Sequence, residues 1–85
     1  MRDLSSVLEL LENECADEHM MAEFVQIKCD IAYTAPEMMY IRWNQVSEVL
    51  QEYYKEFHKY FWFQKILSIF STQPIEEVSR ISNAE

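Results

Sequence analysis

Glycine is absent from this chain of 85 residues. Without it there is no Gly-rich phosphate loop, no dinucleotide-binding turn and no G-x-S-x-G nucleophile elbow. Hairpins of the Asn-Gly type are excluded as well, which argues against a meander of short strands. Cysteine is scarce: Cys15 and Cys29 are too few for a disulfide framework. Residues 1–11 carry Asp3 and Glu9 and no apolar run of the kind a secretory signal needs. A reducing, cytoplasmic setting, in a bacterial or a host cell, is therefore expected. The longest apolar stretch, 60–70, is interrupted by Gln64 and Lys65 and is too short to cross a bilayer. No membrane association is expected.

Basic residues are also in short supply. Seven Lys and Arg stand against fifteen Asp and Glu, a formal charge of −8. The imbalance is concentrated in residues 1–30, where eight acids face only Arg2 and Lys28. Such a chain repels phosphate backbones, so direct nucleic-acid binding is disfavoured. A basic protein surface would be attracted instead.

What is present is apolar and helical. The chain is 49% hydrophobic and 14% aromatic, a globular composition of one domain's length. A domain this small is marginally stable unless disulfides, metal or association help it. Leu4, Val7, Leu8, Leu11 and Cys15, then Met20, Met21, Phe24, Val25, Ile31 and Ala32, recur at helical spacing. They predict a helix over about 4–33. Their phase shifts across 13–18, where a kink or short break is expected, with Asp17 as a second N-cap. Ser6 and Glu9 have the spacing of a capping box. Thr34, Pro36 and Glu37 mark the next helix start.

From 35 to 71 nothing breaks a helix. Met39, Trp43, Val46, Leu50, Tyr53, Phe57, Tyr60, Gln64 and Leu67 follow each other in steps of four and three. Met38, Ile41, Val49, Phe63, Ile66 and Phe70 widen the stripe. Pro74 ends the segment, and Ile75, Val78 and Ile81 suggest a short helix over about 74–82. The expected fold is all-α: a hairpin of two long antiparallel helices plus the short C-terminal one, in a single domain 1–85. A helix over 35–71 would run roughly 55 Å at about 1.5 Å per residue. That exceeds the ~31 Å diameter of a compact globule of this length. A second copy completing a four-helix bundle would resolve the mismatch, so a homodimer is expected; the alternative is a monomeric three- or four-helix bundle with an unmarked kink near 44–47 or 55–59.

Chemistry-bearing constellations are thin. Cys15 and His19 lie four apart, but Cys29 and His58 would have to complete a zinc site from elsewhere. Cys15 reads better as a small core residue and His19 as a surface one. The di-iron motif E-x-x-H is missing, since Ala16 and Lys55 stand three before the two histidines. No metal or cofactor is expected, and without a nucleophile signature or an oxyanion turn no enzymatic activity is expected either.

The densest feature is aromatic. Tyr53, Tyr54, Phe57, Tyr60, Phe61 and Trp62 are too many and too widely directed for one small core. With Trp43 and Leu50 they form the candidate apolar face for self-association or a partner. Glu9, Glu12, Glu14, Asp17, Glu18 and Glu23 form the candidate acidic face for a basic partner. Together they point to a non-enzymatic protein-interaction role. One expectation is a small acidic inhibitor of the immunity-protein, antitoxin or phage-encoded anti-defence (anti-CRISPR) type, covering a nucleic-acid-binding surface of its partner. The other is an adaptor, chaperone or structural subunit that binds through the apolar face. No motif is specific enough to carry a family.

Overall fold

Asp3 opens the first helix. Its carboxylate accepts the backbone N–H of Ser6 at 2.9 Å and lies below the usual carboxylate pKa because of that bond. Helix α1 (Leu4–Glu14) therefore begins before Ser6, and the expected Ser6–Glu9 capping box does not form. The computed structural model describes residues 3–71, and all the regular elements among them are helical. Helix α2 is Glu18–Ile31, α3 is Met39–Phe57 and α4 is Phe61–Ser71, with a single 3-10 turn at Pro36–Met38 between α2 and α3. The short helix expected over 74–82 lies outside the described residues.

The phase shift near 13–18 is a complete break. Cys15 and Asp17 are extended, and the Asp17 carboxylate caps α2 by accepting from the Met20 N–H at 2.8 Å. Thr34 does not cap the following helix. Its hydroxyl donates to the Asp30 carbonyl at 2.7 Å, beside the Tyr33 N–H that the same carbonyl accepts at 3.0 Å, and so helps close the end of α2. Ala35 then precedes the 3-10 turn with no side-chain cap.

The long helix expected over 35–71 is two helices. It stops at Phe57, turns through His58–Tyr60 and restarts at Phe61. Neither proline nor glycine marks the stop. The Tyr60 N–H bonds back to the Phe57 carbonyl at 2.9 Å, and the Tyr60 carbonyl accepts from both Phe63 and Gln64. The Gln64 side-chain amide donates to the His58 carbonyl. Burial supplies the reason for the turn: folding α4 back lets Phe63 and Ile66 reach complete burial. At roughly 1.5–3 kcal/mol for each fully buried large apolar side chain, this outweighs a few interrupted helical hydrogen bonds.

Every corner is built without left-handed backbone. None of the described residues has a positive φ; Ala32 and His58 close their helices in the right-handed region, and Cys15, Asp17 and Ala35 are extended. A glycine-free chain can make these turns at no steric cost.

Helix α1 packs against α4 and α2, and α2 packs against α3. Leu4, Val7, Leu8 and Leu11 of α1 meet Met20, Phe24 and Ile27 of α2, Trp43, Val46, Val49 and Leu50 of α3, and Phe63 and Ile66 of α4 in one core. The apolar phase of α2 is Met20, Phe24, Ile27, so Val25 points outward at 41% exposure. Between α3 and α4 the space is bridged by rings, Trp43 to Phe70 at 5.8 Å and Tyr54 to Phe63 at 6.1 Å. The longest dimension is 37 Å, too short for the roughly 55 Å of an unbroken helix over 35–71. The break thus removes the length mismatch from which a second copy was inferred.

Candidate functional site

Two helices present the same spacing to a shared groove. From α2 come Glu23, Gln26, Ile27 and Asp30, and from α3 come Gln45, Glu48, Val49 and Glu52. Each set falls at i, i+3, i+4, i+7, one continuous helix face. Ile27 and Val49 are buried and form an apolar floor. Above it the walls carry four carboxylates and two amides around a cavity of about 270 Å³.

The polar groups of the groove are partly committed. The Tyr53 hydroxyl donates to Glu23 Oε2 at 2.7 Å, and this bond to a carboxylate raises the phenol pKa above its usual range. Asp30 accepts from the Gln26 amide at 3.1 Å and pairs with Arg42 at 3.6 Å. Arg42 also donates to Gln45 Oε1 at 2.6 Å, while its buried Nε has no acceptor. Glu48 and Glu52 are exposed and make no side-chain hydrogen bond or ion pair. The groove therefore holds more negative charge than Arg42 offsets. Its amphipathic section suits a lysine or arginine side chain, with an aliphatic stem over the floor and a charged head among the carboxylates.

The acidic face expected from the sequence is distributed differently. Glu12 pairs with Lys28 at 3.2 Å and Glu14 with Lys65 at 3.5 Å, so both tie α1 to its neighbours. Asp17 caps α2, and Glu23 belongs to the groove. Glu9 and Glu18 alone of the six are exposed without a side-chain partner. Asp30, Glu48 and Glu52 were not among the expected site residues. Their signal was the carboxylates at 48 and 52: like charges four apart repel on an isolated helix.

The expected apolar face is split as well. Trp43 and Leu50 are core. Tyr53, Phe57 and Trp62 are half-buried against the core, with Phe57 and Trp62 rings 5.2 Å apart. Tyr54, Tyr60 and Phe61 remain exposed at the α3–α4 corner, Phe61 at 78%. Tyr33, 92% exposed at the opposite corner, was not foreseen.

Cys15 is buried in the α1–α2 link, where its thiol donates to the Asp17 carbonyl at 3.2 Å and burial pushes its pKa up. His19 is exposed. Among the described residues no group of three His, Cys, Asp or Glu side chains could hold a metal ion, and no helix is long and apolar enough to cross a membrane. No family model, curated protein or solved structure matches the chain.

Proposed function

We propose that this chain is a non-enzymatic binding protein that covers a basic, nucleic-acid-binding surface of a protein partner, and that the α2–α3 groove is its contact site. The observation that carries this reading is the pairing of unneutralised carboxylates, Glu48 and Glu52, with a buried apolar floor of Ile27 and Val49. A small acidic inhibitor of the immunity-protein, antitoxin or anti-defence type, acting in the cytoplasm, fits that chemistry. The formal charge of −8 would speed its encounter with a cationic surface and keep it away from phosphate.

The test is a titration with an arginine- and lysine-rich peptide at low and moderate salt. Glu48→Lys with Glu52→Lys should weaken binding at least tenfold, about 1.4 kcal/mol. Glu9→Lys with Glu18→Lys makes the same change in net charge outside the groove and should cost much less. Equal losses for the two pairs would mean that net charge, and not the groove, attracts the peptide.

A second reading rests on Phe61, Tyr54 and Tyr60 at the α3–α4 corner. Here the chain is an adaptor or structural subunit whose apolar corner takes an apolar partner, either a second copy of itself or a member of a larger complex. Complexes formed that way would persist at high salt, whereas groove-mediated ones would dissociate.

A further inference from the structure

Helix α2 lends a carboxylate to each end of the acidic groove, and α3 answers the two with side chains of unlike charge. At one end Glu23 accepts from the Tyr53 hydroxyl at 2.7 Å, a neutral donor that leaves the carboxylate charge in place. About two turns farther along α2, Asp30 pairs with the Arg42 guanidinium at 3.6 Å. These two contacts set α2 and α3 antiparallel, so Glu52 stands at the Glu23 end and Gln45 at the Asp30 end. Arg42 also donates to Gln45 Oε1 at 2.6 Å and so holds lining residues of both helices. It is the more buried member of its ion pair. Glu48 and Glu52 have no such cation. One end of the groove is therefore offset by the chain itself, and the rest is not.

We propose that Arg42 is a built-in occupant of the Asp30 end, which fixes the polarity and the capacity of the groove, given the reading of this groove as the contact site. The groove then takes one cationic side chain of the partner. Its head lies among Glu23, Glu48 and Glu52, and its stem runs along Ile27 and Val49 toward Arg42. The dimensions agree. Glu23 to Asp30 spans roughly 10 Å along α2 at a helical rise, and an extended lysine or arginine side chain reaches about 6 Å from its Cα. One side chain thus fills the open part, and a second head would have to sit beside the Arg42 guanidinium. Two like charges so close together in a partly buried site repel strongly. A repulsive element of this kind sets specificity as much as an attractive one does. The preferred partner presents a basic side chain that stands apart from others, and Arg42 turns away a closely spaced pair.

Amide shift titration of the full chain with the arginine- and lysine-rich peptide tests it. In the wild-type chain the peptide should move Glu48, Val49 and Glu52 and leave Asp30 and Gln45 nearly still. Arg42→Met keeps an aliphatic stem and frees Asp30. In this variant Asp30 and Gln45 should join the peptide-induced shifts, and affinity should rise about threefold as one more exposed ion pair forms. Lys65→Met makes the same change in net charge and frees Glu14 outside the groove. It should leave Asp30 still and tighten binding less. Wild-type shifts as large at Asp30 and Gln45 as at Glu48 and Glu52 overturn the proposal. So does an Arg42→Met variant that gains no more affinity than Lys65→Met and keeps Asp30 still, which would make Arg42 a staple between α2 and α3 and nothing more. A wild-type groove that does not move at all overturns the contact site itself, and this proposal with it. If Arg42→Met does not fold, the wild-type shifts alone decide.

Discussion

Tyr53 joins the core to the acidic groove. Its ring stacks on Phe57 at 5.9 Å while its hydroxyl donates to Glu23. Tyr53→Phe keeps the ring and removes the bond, so it should cost about 1 kcal/mol of stability, read from urea denaturation. The bond also sets a pH dependence. The phenol pKa is raised in the folded chain, so its contribution is complete below the usual tyrosine value near 10 and is lost as pH rises beyond it. Wild-type stability should fall above about pH 10 with a steeper slope than that of Tyr53→Phe. Equal slopes would remove the Glu23–Tyr53 bond from the account. The two cysteines offer a separate check. Cys29 is exposed and Cys15 buried, so a thiol reagent should label Cys29 at once and Cys15 only at the rate of opening.

At the scale of elements, the caps and the α4 fold-back decide the architecture. Asp17→Ala removes the α2 N-cap and should cost about 1 kcal/mol. Phe63→Ala empties a fully buried position of α4 and should cost roughly 3–5 kcal/mol, enough to undo so small a domain. Retained helicity and cooperativity in Phe63→Ala would show that α4 does not need its place on α1. The sequence made much of this legible. The spacing of Leu4, Val7, Leu8 and Leu11 gives the buried face of α1, and the phase shift after Asn13 marks the break that Asp17 caps. The turn at His58–Tyr60 overlaps one of the two kinks, near 55–59, that stand as the alternative to an unbroken helix, but the sequence does not choose between them, because no residue there forbids a helix. It exists for the sake of burying Phe63 and Ile66, and such a tertiary cause leaves no local mark. Glu48 and Glu52 escaped notice for a similar reason: a count of charge along the chain favours residues 1–30, whereas the groove takes carboxylates from two helices distant in sequence.

For the whole molecule, the missing glycine first suggested a helix too long for one chain. The corners show instead that right-handed and extended backbone suffice to fold α1 to α4 into a body 37 Å in its longest dimension, with a core drawn from all four helices. Light scattering at micromolar concentration should therefore give 10.3 kDa. A mass twice that, reduced to one chain by Phe61→Asp, would restore the second copy and assign it to the α3–α4 corner. The central claim concerns the other side of the molecule, and amide shift mapping addresses it most directly. Titration with an arginine- and lysine-rich peptide should move the backbone signals of Glu23, Ile27, Glu48, Val49 and Glu52, and 0.3 M salt should reverse the effect at a Debye length of about 6 Å. Shifts centred on Glu9 and Glu18, or spread evenly over all the acids, would contradict the assignment of the groove.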